Sequence, residues 1–312
     1  MIAMEEKKVV KIPKKMLIKN IEKAKVLTLE DELPYSDGQI NSKTLAQNSA
    51  VSITLFSFEK GEEISTHESG GDAFVTCLDG VGLITIDGKD YELHVRYESG
   101  WDNSVRWDKN IVDMWAIDLN CFMVMNYRAL CFMANELGLS EEAKVWSDKA
   151  ERMSTLINER LWNGKNGWYS DANSLTHEIS DVLSPASFMP LYIGIASEEQ
   201  AKAMAKIAET RFEGKMPTVS FDNPEYSLDY WRGPTWLNVA YFAAKGLKNY
   251  GFAVADQIKA SILSMCAKDK EHIYENYDAK AEKGQYCNHF SWSCVFIIEF
   301  ILNFDKHVFE NK

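Results

Sequence analysis

The hydrophobic pattern of this chain changes near residue 95, and that change restricts the possible folds more than any other feature. Before it, short runs rich in β-branched residues are separated by glycine turns. Asp87-Gly88 is a strong signal for a type I′ hairpin between two such runs. Short strands with glycine turns are typical of a β-sandwich or barrel. The runs that we predict as strands are residues 49–56, 73–78, 81–86 and 89–93.

Beyond residue 95 the apolar residues recur at helical spacing, and start and stop signals mark a series of helices. Ser197 and Gln200 form a capping-box pattern, Gly138 marks a helix end, and Pro234 suits a first helical turn. Helices paired by loops favour an α/α toroid. The helices are predicted at residues 113–138, 140–161, 197–211, 236–247, 253–267 and 291–304.

The two parts meet without a linker, because no tract of proline, serine or glycine separates them. We therefore predict an α+β chain with a β segment over residues 1–94 and a mostly α-helical domain over residues 95–312. Such an abrupt junction is what a fusion of two interrupted genes would leave.

The charge and the cysteine content exclude several classes of function. A net charge of −12 and an isoelectric point near 5.1 argue against nucleic acid or an anionic membrane as a partner. None of the six cysteines lies in a CxxC motif, which predicts buried free thiols in a reducing cytosol. Residues 1–15 lack the apolar region of a signal peptide, and no uninterrupted apolar run approaches about 18 residues. The sequence predicts a cytoplasmic protein without an organic cofactor, since neither a GxGxxG nor a Walker A pattern occurs.

Three motifs in the second part combine carboxylates with aromatic side chains. The first, residues 98–104, holds Asp102 beside a tryptophan, and the last, residues 274–277, holds Glu275 between tyrosine and asparagine. Between them, residues 230–236 read Tyr-Trp-Arg-Gly-Pro-Thr-Trp. A glycosidase needs one carboxyl group to protonate the leaving oxygen and a second one to activate water or attack carbon. Each acid alone would more often be a turn or surface residue, so it is their combination that indicates a sugar-cleaving domain.

The order and composition of these motifs resemble glycoside hydrolase family 63 and the related mannosylglycerate-hydrolase-like and trehalase-like enzymes, over residues 98–304. The resemblance implies an (α/α)6 barrel and inverting hydrolysis of an α-glucosidic or α-mannosidic bond in a small carbohydrate. It also implies Asp102 as the general acid and Glu275 as the general base, about 6.5–9.5 Å apart to admit a water molecule. The same resemblance marks as substrate-binding residues Trp101, Asn103, Arg106, Trp107, Trp231, Arg232, Gly233, Trp236, His289 and Trp292.

Within that set we expect Trp231 and Trp236 to form a platform for the sugar ring, and Arg232 to clamp its hydroxyl groups. Asp102 must stay protonated near neutral pH, which requires apolar surroundings such as the neighbouring tryptophans. A cation close by, such as Arg106, would oppose this. The acids that we interpret as structural are Asp113, Asp118, Asp181 and Asp229.

The first part resembles a cupin over residues 40–93. Residues 61–72 look like its first metal-binding motif, with His67 as a ligand and with Glu68 and Asp72 as weaker ones. The second motif of a cupin metal site is absent, and three or four ligands are the usual minimum. We therefore expect a truncated cupin-like segment that binds no metal.

A twelve-helix toroid needs more residues than the helical part holds, at roughly 10–14 residues per helix plus loops. We therefore expect an incomplete barrel with an exposed apolar helix face, through which the chain self-associates. This leaves two alternatives to an active hydrolase. One is a catalytically incomplete carbohydrate-binding or structural protein, and the other is a cupin-type sensor of small ligands with a helical partner domain.

Overall fold

The structure is a computed structural model that describes residues 18–66, 71–94, 99–109, 111 and 113–306. His67 and Glu68, the proposed cupin ligands, and Glu98, the first residue of the first acidic motif, lie outside these residues. The chain divides into two compact units, Met1–Val95 and Arg96–Lys312.

The first unit contains two antiparallel hairpins, one formed by β1 and β2 and the other by β3 and β4. Their bounds are β1 (Ile40–Gln47), β2 (Ser52–Phe58), β3 (Val81–Ile86) and β4 (Lys89–His94). The turn between β3 and β4 has Asp87 at φ 52° and Gly88 at φ 76°. Positive φ at both central residues is what a type I′ turn requires, so the predicted hairpin is confirmed.

The β segment departs from the sequence prediction in two ways. The two hairpins are separate two-stranded sheets, so the described residues do not form the closed barrel of a cupin. Residues 73–78 are not in a strand, and Phe74 is 95% exposed. An apolar run needs a neighbouring strand to pair and pack with, and none of the described strands pairs with this run. The resemblance to a cupin stays a prediction.

The second unit has seven α-helices within its described residues. They are α1 (Ile117–Glu136), α2 (Ser140–Arg160), α3 (Met189–Tyr192), α4 (Glu198–Thr210), α5 (Leu237–Asn249), α6 (Val254–Cys266) and α7 (Ser291–Leu302). The predicted helices are confirmed to within four residues at either end. The short helix α3, which follows the 3-10 turn Pro185–Phe188, is not among the predictions. Pro234 lies outside any helix, because α5 begins at Leu237 with Trp236 as its N-cap.

α5 is the centre of the helical unit, and most of its residues are buried. It contacts α3, α6 and α7, while α1 and α2 form a helical hairpin that meets α3. The Phe242 ring of α5 packs edge-on against Phe122 of α1 and Phe296 of α7. This row of helices leaves apolar side chains exposed on α1 and α7, among them Phe132 and Ile298.

Six short strands complete the second unit within its described residues. They are β5 (Met114–Trp115), β6 (Trp162–Asn163), β7 (Trp168–Tyr169), β8 (Ala172–Asn173), β9 (Tyr274–Asp278) and β10 (Lys283–Asn288). β9 and β10 form the hairpin that carries the last acidic motif.

None of the six cysteines forms a disulfide, but only Cys121 and Cys266 are buried, so the prediction of buried thiols is wrong for the other four. In the part of the chain that the structure describes, no helix is both long enough and apolar enough to span a membrane.

Candidate active site

The loop at residues 99–109 carries Asp102 at the surface. Its buried residues, 104–107, anchor the loop inside the protein. Asp102 is half-buried, so its carboxyl group is accessible to a ligand. The 3-10 helix Val105–Trp107 follows and is buried. Ser104 Oγ accepts a hydrogen bond from the Arg106 N–H at the start of this turn, which fixes the direction of the chain.

The Arg106 guanidinium anchors the loop from within the protein. It donates pairs of hydrogen bonds of 2.7–2.9 Å to Asp118 and Asp171. It also lies 4.7 Å from the centre of the Trp101 ring and 4.4 Å from that of Trp107. The Arg106 side chain is 1% exposed, and Trp101 and Trp107 are buried around it. This burial shows that Trp101, Arg106 and Trp107 hold the loop together, and their contact with a substrate stays a prediction.

Two carboxylates offset the free-energy cost of burying the Arg106 charge. Burial alone would lower the pKa of Arg106, but Asp118 and Asp171 raise that pKa above its usual value. Burial would likewise raise the pKa of Asp118, but Arg106 and the Leu119 N–H lower it. The two carboxylates thus neutralise the cation, so Arg106 does not act on Asp102 as an isolated positive charge.

The middle motif, residues 230–236, holds the Asp102 loop in place. Asn103 Nδ2 donates to Asp229 Oδ2 (2.9 Å), and Asn103 Oδ1 accepts from the Trp231 N–H (2.9 Å). The Arg232 guanidinium donates two hydrogen bonds of 2.7 Å to the Asp108 carboxylate and one of 3.1 Å to the Asn103 carbonyl. Asn103 and Arg232, which the sequence predicts as sugar ligands, therefore join the two loops to each other.

The β9–β10 hairpin brings Glu275 to the same middle motif. Two backbone hydrogen bonds of 2.8 and 3.0 Å connect Thr235 to Tyr277 on β9. From the first turn of α7, Ser293 Oγ donates to the Glu275 carbonyl (3.1 Å). The Glu275 residue is half-buried. The middle motif is thus bonded to both acidic motifs, which lie far from it in the chain.

Tyr230 contacts Glu275 directly. Its phenol O–H donates to Glu275 Oε1 (3.0 Å), and its backbone N–H donates to the Tyr286 hydroxyl (2.9 Å). Burial raises the pKa of the Tyr230 phenol above its usual value, and the negative charges of Glu275 and Asp102 raise it further. The phenol is therefore held as a neutral donor to Glu275 within the electrostatic reach of Asp102.

Three residues of the middle motif and of the region around β10 have a strained backbone. Tyr230, Tyr286 and His289 have φ values of 47°, 59° and 55°, which bulky side chains rarely adopt. Such conformations persist where surrounding contacts enforce them, and they are frequent at functional sites.

Trp231 and Trp236 are stacked on each other instead of being open to a ligand. Their ring centres are 3.8 Å apart with an angle of 11° between the planes, and each residue is 2% exposed. The Trp101 ring packs 5.0 Å from Trp231 and closes that side. The pair is therefore part of the core of the loop, and the sugar platform on Trp231 and Trp236 stays a prediction.

Two other aromatic rings beside this stack are open to solvent. Trp292, on α7, is 43% exposed and lies 5.9 Å from Trp236. Tyr286, on β10, is 52% exposed and lies 5.2 Å from Tyr230. These rings, and not the buried stack, are the surfaces on which an apolar ring face can rest.

Gly233 and His289 complete the predicted set. A Cβ at Gly233 would lie 2.0 Å from the Ser227 carbonyl oxygen, so only glycine fits there, and its role is in packing. His289 is exposed and lies 5.0 Å from the ring of His272, whose Nδ1 is 3.1 Å from Asp269. Even so, the described residues contain no group of three or more His, Cys, Asp or Glu arranged to hold a metal ion.

Sequence reasoning missed several residues that build this site. Tyr230 and Asp108 flank the quoted tryptophans and could have been found from their place in the motifs. Asp171 and Tyr286 have no local signal, because they meet their partners Arg106 and Tyr230 across 65 and 56 residues of chain.

A helical domain in which two acidic motifs are bonded to one loop, beside open aromatic rings, is typical of the glycoside hydrolase class. Residues 34–293 match the model of the mannosylglycerate hydrolase MGH1-like glycoside hydrolase domain. This match covers most of the chain, and the chain belongs to that family.

The relatives agree with this assignment. The mannosylglycerate hydrolase of Rubrobacter radiotolerans is 30% identical over 279 residues, which are 86% of this chain and 61% of that protein. The periplasmic trehalase of Salmonella newport is 28% identical over 59% of this chain and 33% of its own length. Among solved structures, the GH63 mannosylglycerate hydrolase of Thermus thermophilus in complex with glucose superposes with a TM-score of 0.59. It is 26% identical over 66% of this chain and 60% of that one.

The extent of these matches bears on the domain prediction. The chain spans about 61% of the mannosylglycerate hydrolase and about 33% of the trehalase. The family match begins at residue 34 and so crosses the predicted boundary near residue 95. The assignment of the first unit to a cupin-like domain thus stays a prediction.

Proposed function

We propose that this chain is an inverting glycoside hydrolase that cleaves an α-glucosidic or α-mannosidic bond in a small glycoside. In this proposal Asp102 is the general acid and Glu275 is the general base. The names of the relatives, mannosylglycerate hydrolase and trehalase, support a small sugar-containing substrate. A cytosolic setting is part of the proposal, and the free state of all six cysteines supports it.

The observation that carries the proposal is the bonding of both acidic motifs to residues 230–231. The hydrogen bond from the Tyr230 phenol to Glu275 Oε1 fixes one oxygen of that carboxylate. The Trp231 N–H donates to Asn103 Oδ1, and Asn103 directly follows Asp102 in the chain. Two acids that one loop connects from distant parts of the chain can flank one scissile bond, which is the arrangement that glycoside hydrolysis needs.

The reaction then follows in one displacement. Glu275 takes a proton from a water molecule, whose oxygen attacks the anomeric carbon. As the new C–O bond forms, the bond to the leaving oxygen breaks, and Asp102 gives its proton to that oxygen. The Tyr230 phenol donates to Oε1 of Glu275, which leaves Oε2, 3.5 Å from the Cys287 N–H, as the oxygen that takes the proton.

Trp292 and Tyr286 take the role of the sugar platform in this proposal. Their rings are exposed on α7 and β10, the two elements that donate hydrogen bonds to Glu275 on β9. Aromatic faces exclude water from the apolar face of a bound ligand, while the polar edge of tyrosine still forms hydrogen bonds. Both residues should therefore contribute to substrate affinity more than to the chemical step.

One observation favours a second candidate, a carbohydrate-binding protein without turnover. Apolar side chains are exposed along α1 and α7, in the same row of helices that supports the site. Patches of this kind are unusual on a monomer that is complete by itself. Such a protein would keep the sugar contacts and lack the geometry for catalysis.

The test is hydrolysis of α-glucosides and α-mannosides, including trehalose, glucosylglycerate and mannosylglycerate, by the purified chain. Asp102→Asn and Glu275→Gln should each reduce turnover at least a hundredfold, because general acid–base catalysis contributes about that factor or more. Proton NMR of the first product should show the β-anomer released from an α-glycoside, which is the mark of inversion.

Glu271→Gln is the matched control, since Glu271 is an exposed acid that precedes the same hairpin. It should retain full activity. Turnover that survives in Glu275→Gln, or release of the α-anomer, contradicts the assigned mechanism. Sugar binding without turnover in the unmodified chain favours the second candidate.

A further inference from the structure

A cavity of about 440 Å³ lies between α1 and α2, next to the turn that follows α3. Arg128 and Cys131 of α1 line one wall. Arg128 is ten residues beyond Asp118 on the same helix, which is about 15 Å along the axis at 1.5 Å per residue. The cavity is therefore separate from the site at Asp102.

Arg128 is a half-buried cation without a carboxylate partner. Its Nη1 donates to the Ile193 carbonyl (2.5 Å), and within the described part of the chain no carboxylate lies within ion-pair distance. Burial lowers the pKa of its guanidinium below the usual value. Arg106, buried in the same unit, binds two carboxylates, whereas Arg128 keeps most of its five donors unused. A charge-assisted bond to an entering anion would stabilise it.

The opposite wall of the cavity, on α2, offers hydrogen-bond acceptors. Ser154 Oγ donates to the Ala150 carbonyl (2.7 Å), and Thr155 Oγ1 donates to the Glu151 carbonyl (3.1 Å). Their hydroxyl hydrogens are used, so their lone pairs remain to accept hydrogen bonds. The Glu151 carboxylate, which also lines the cavity, accepts as well. One cation facing several acceptors suits a ligand that has one carboxylate and several hydroxyl groups.

We propose that this cavity binds a small hydroxylated carboxylic acid, with its carboxylate on Arg128 and its hydroxyl groups on Ser154, Thr155 and Glu151. A volume of about 440 Å³ accommodates a ligand of this class. D-Glycerate is the simplest probe, and it is present in a solved structure of the Thermus thermophilus mannosylglycerate hydrolase. The proposal does not rest on the hydrolase activity.

Two cysteines allow both sites to be followed in one experiment. Cys131 lines the cavity, and the exposed Cys287 has its N–H 3.5 Å from Glu275 Oε2. The full chain is treated with iodoacetamide at increasing D-glycerate concentration, and alkylation of each cysteine is measured by peptide mass spectrometry. D-Glycerate should slow the alkylation of Cys131 in a saturable way.

Arg128→Gln should raise the half-protecting concentration of D-glycerate at least tenfold, because a charge-assisted contact is lost. Arg152→Gln is the matched control, since Arg152 is exposed on α2 and does not line the cavity. It should leave the protection unchanged. Glu151→Gln should lower the half-protecting concentration about twofold to threefold, because it removes repulsion of the carboxylate. Misfolding would weaken the binding of D-glycerate, so tighter binding by this variant cannot be caused by misfolding.

Glycerol, which has the hydroxyl groups without the carboxylate, should not protect Cys131. The proposal is overturned if glycerol protects as well as D-glycerate, or if Arg128→Gln protein with native circular dichroism retains full protection. Protection of Cys287 alone would assign the ligand to the candidate active site and would overturn the proposal as well.

Discussion

Buried charge determines the stability of the loop that carries Asp102. Replacing Arg106 by Gln leaves Asp118 and Asp171 buried side by side without their cation. Removing one partner of a buried ion pair costs about 3–5 kcal/mol. We therefore expect the free energy of unfolding, measured with urea, to fall by that amount. Arg160→Gln, at the exposed end of α2, should cost little. A loss below about 1 kcal/mol for Arg106→Gln, the size of a surface ion pair, would mean that the loop is held mainly by its other contacts.

The ion pairs of Arg106 with Asp118 and Asp171 should make the free energy of unfolding depend on pH. The pKa of Asp118 is lowered in the fold, so its contribution is complete above its usual value of 3.8 and is lost as the pH falls below that value. Asp118→Asn should therefore destabilise the chain at pH 7, and its difference from the unmodified chain should shrink below about pH 4. Urea unfolding at a series of pH values measures this. A difference that stays constant from pH 7 to pH 3 would exclude a linked titration of Asp118.

Tyr230 should act by positioning Glu275. In Tyr230→Phe the ring and its packing remain, but the hydrogen bond to Glu275 Oε1 is lost. A bond to a charged group contributes about 1.5–3 kcal/mol, so we expect kcat to fall about tenfold or more while KM changes little. Tyr35→Phe, in the first unit, is the control. An unchanged kcat would mean that Glu275 needs no such orientation.

At the scale of elements, the middle motif is the connection between the two acidic motifs, and Gly233 decides its shape. A Cβ at this position would meet the Ser227 carbonyl oxygen at 2.0 Å. Gly233→Ala should cost about 1–3 kcal/mol, as overpacking does, and should reduce activity because both acidic motifs are bonded to this loop. Gly164→Ala is the control, since its nearest neighbour would be the Trp162 indole nitrogen at 3.9 Å.

Activity and thermal unfolding of both variants check this prediction. Equal stability of the two alanine variants would show that the Ser227 backbone can move aside without cost.

Elements that depend on local signals could be predicted from the sequence. The capping box at Ser197 is formed as expected, with Ser197 Oγ accepting from the Gln200 N–H (3.2 Å) and Gln200 Oε1 accepting from the Ser197 N–H (2.8 Å). The Asp87-Gly88 turn is a second case, because its two φ angles follow from the residue types. In both cases residues within four positions of each other determine the structure.

Features that depend on distant partners could not be predicted in this way. Trp231 lies in a motif typical of sugar contact, but its burial results from the Trp236 and Trp101 rings on either side. Asn103 has the chemistry to bind a hydroxyl group, yet it bonds to Asp229, 126 residues further along the chain. The motifs therefore predict which residues belong to the candidate site, while the contacts among these residues depend on the geometry.

At the scale of the whole molecule, the remaining question is what covers the exposed apolar helices. α7 has the sequence SWSCVFIIEFIL, with Glu299 as its one charged residue. Val295, Ile298 and Ile301 on this helix are each more than half exposed. The net charge of −12 favours separation of copies, but almost none of that charge is on α7. Burial of α7 against another apolar surface is therefore favourable, because almost no charge on this helix opposes it.

We propose that a second copy of the chain covers α7. A single face of this kind can pair with itself about a two-fold axis, so that each α7 buries the other. The chain, whose mass is 35.6 kDa, should therefore behave as a dimer or larger species in multi-angle light scattering at micromolar concentration. Val295→Glu combined with Ile298→Glu should give a monomer with unchanged circular dichroism, because a carboxylate at each position cannot be buried without a partner. Leu228→Glu, at an exposed loop leucine, should leave the assembly intact. A chain that is monomeric at every concentration, before and after substitution, would show that α7 stays in contact with water in this protein.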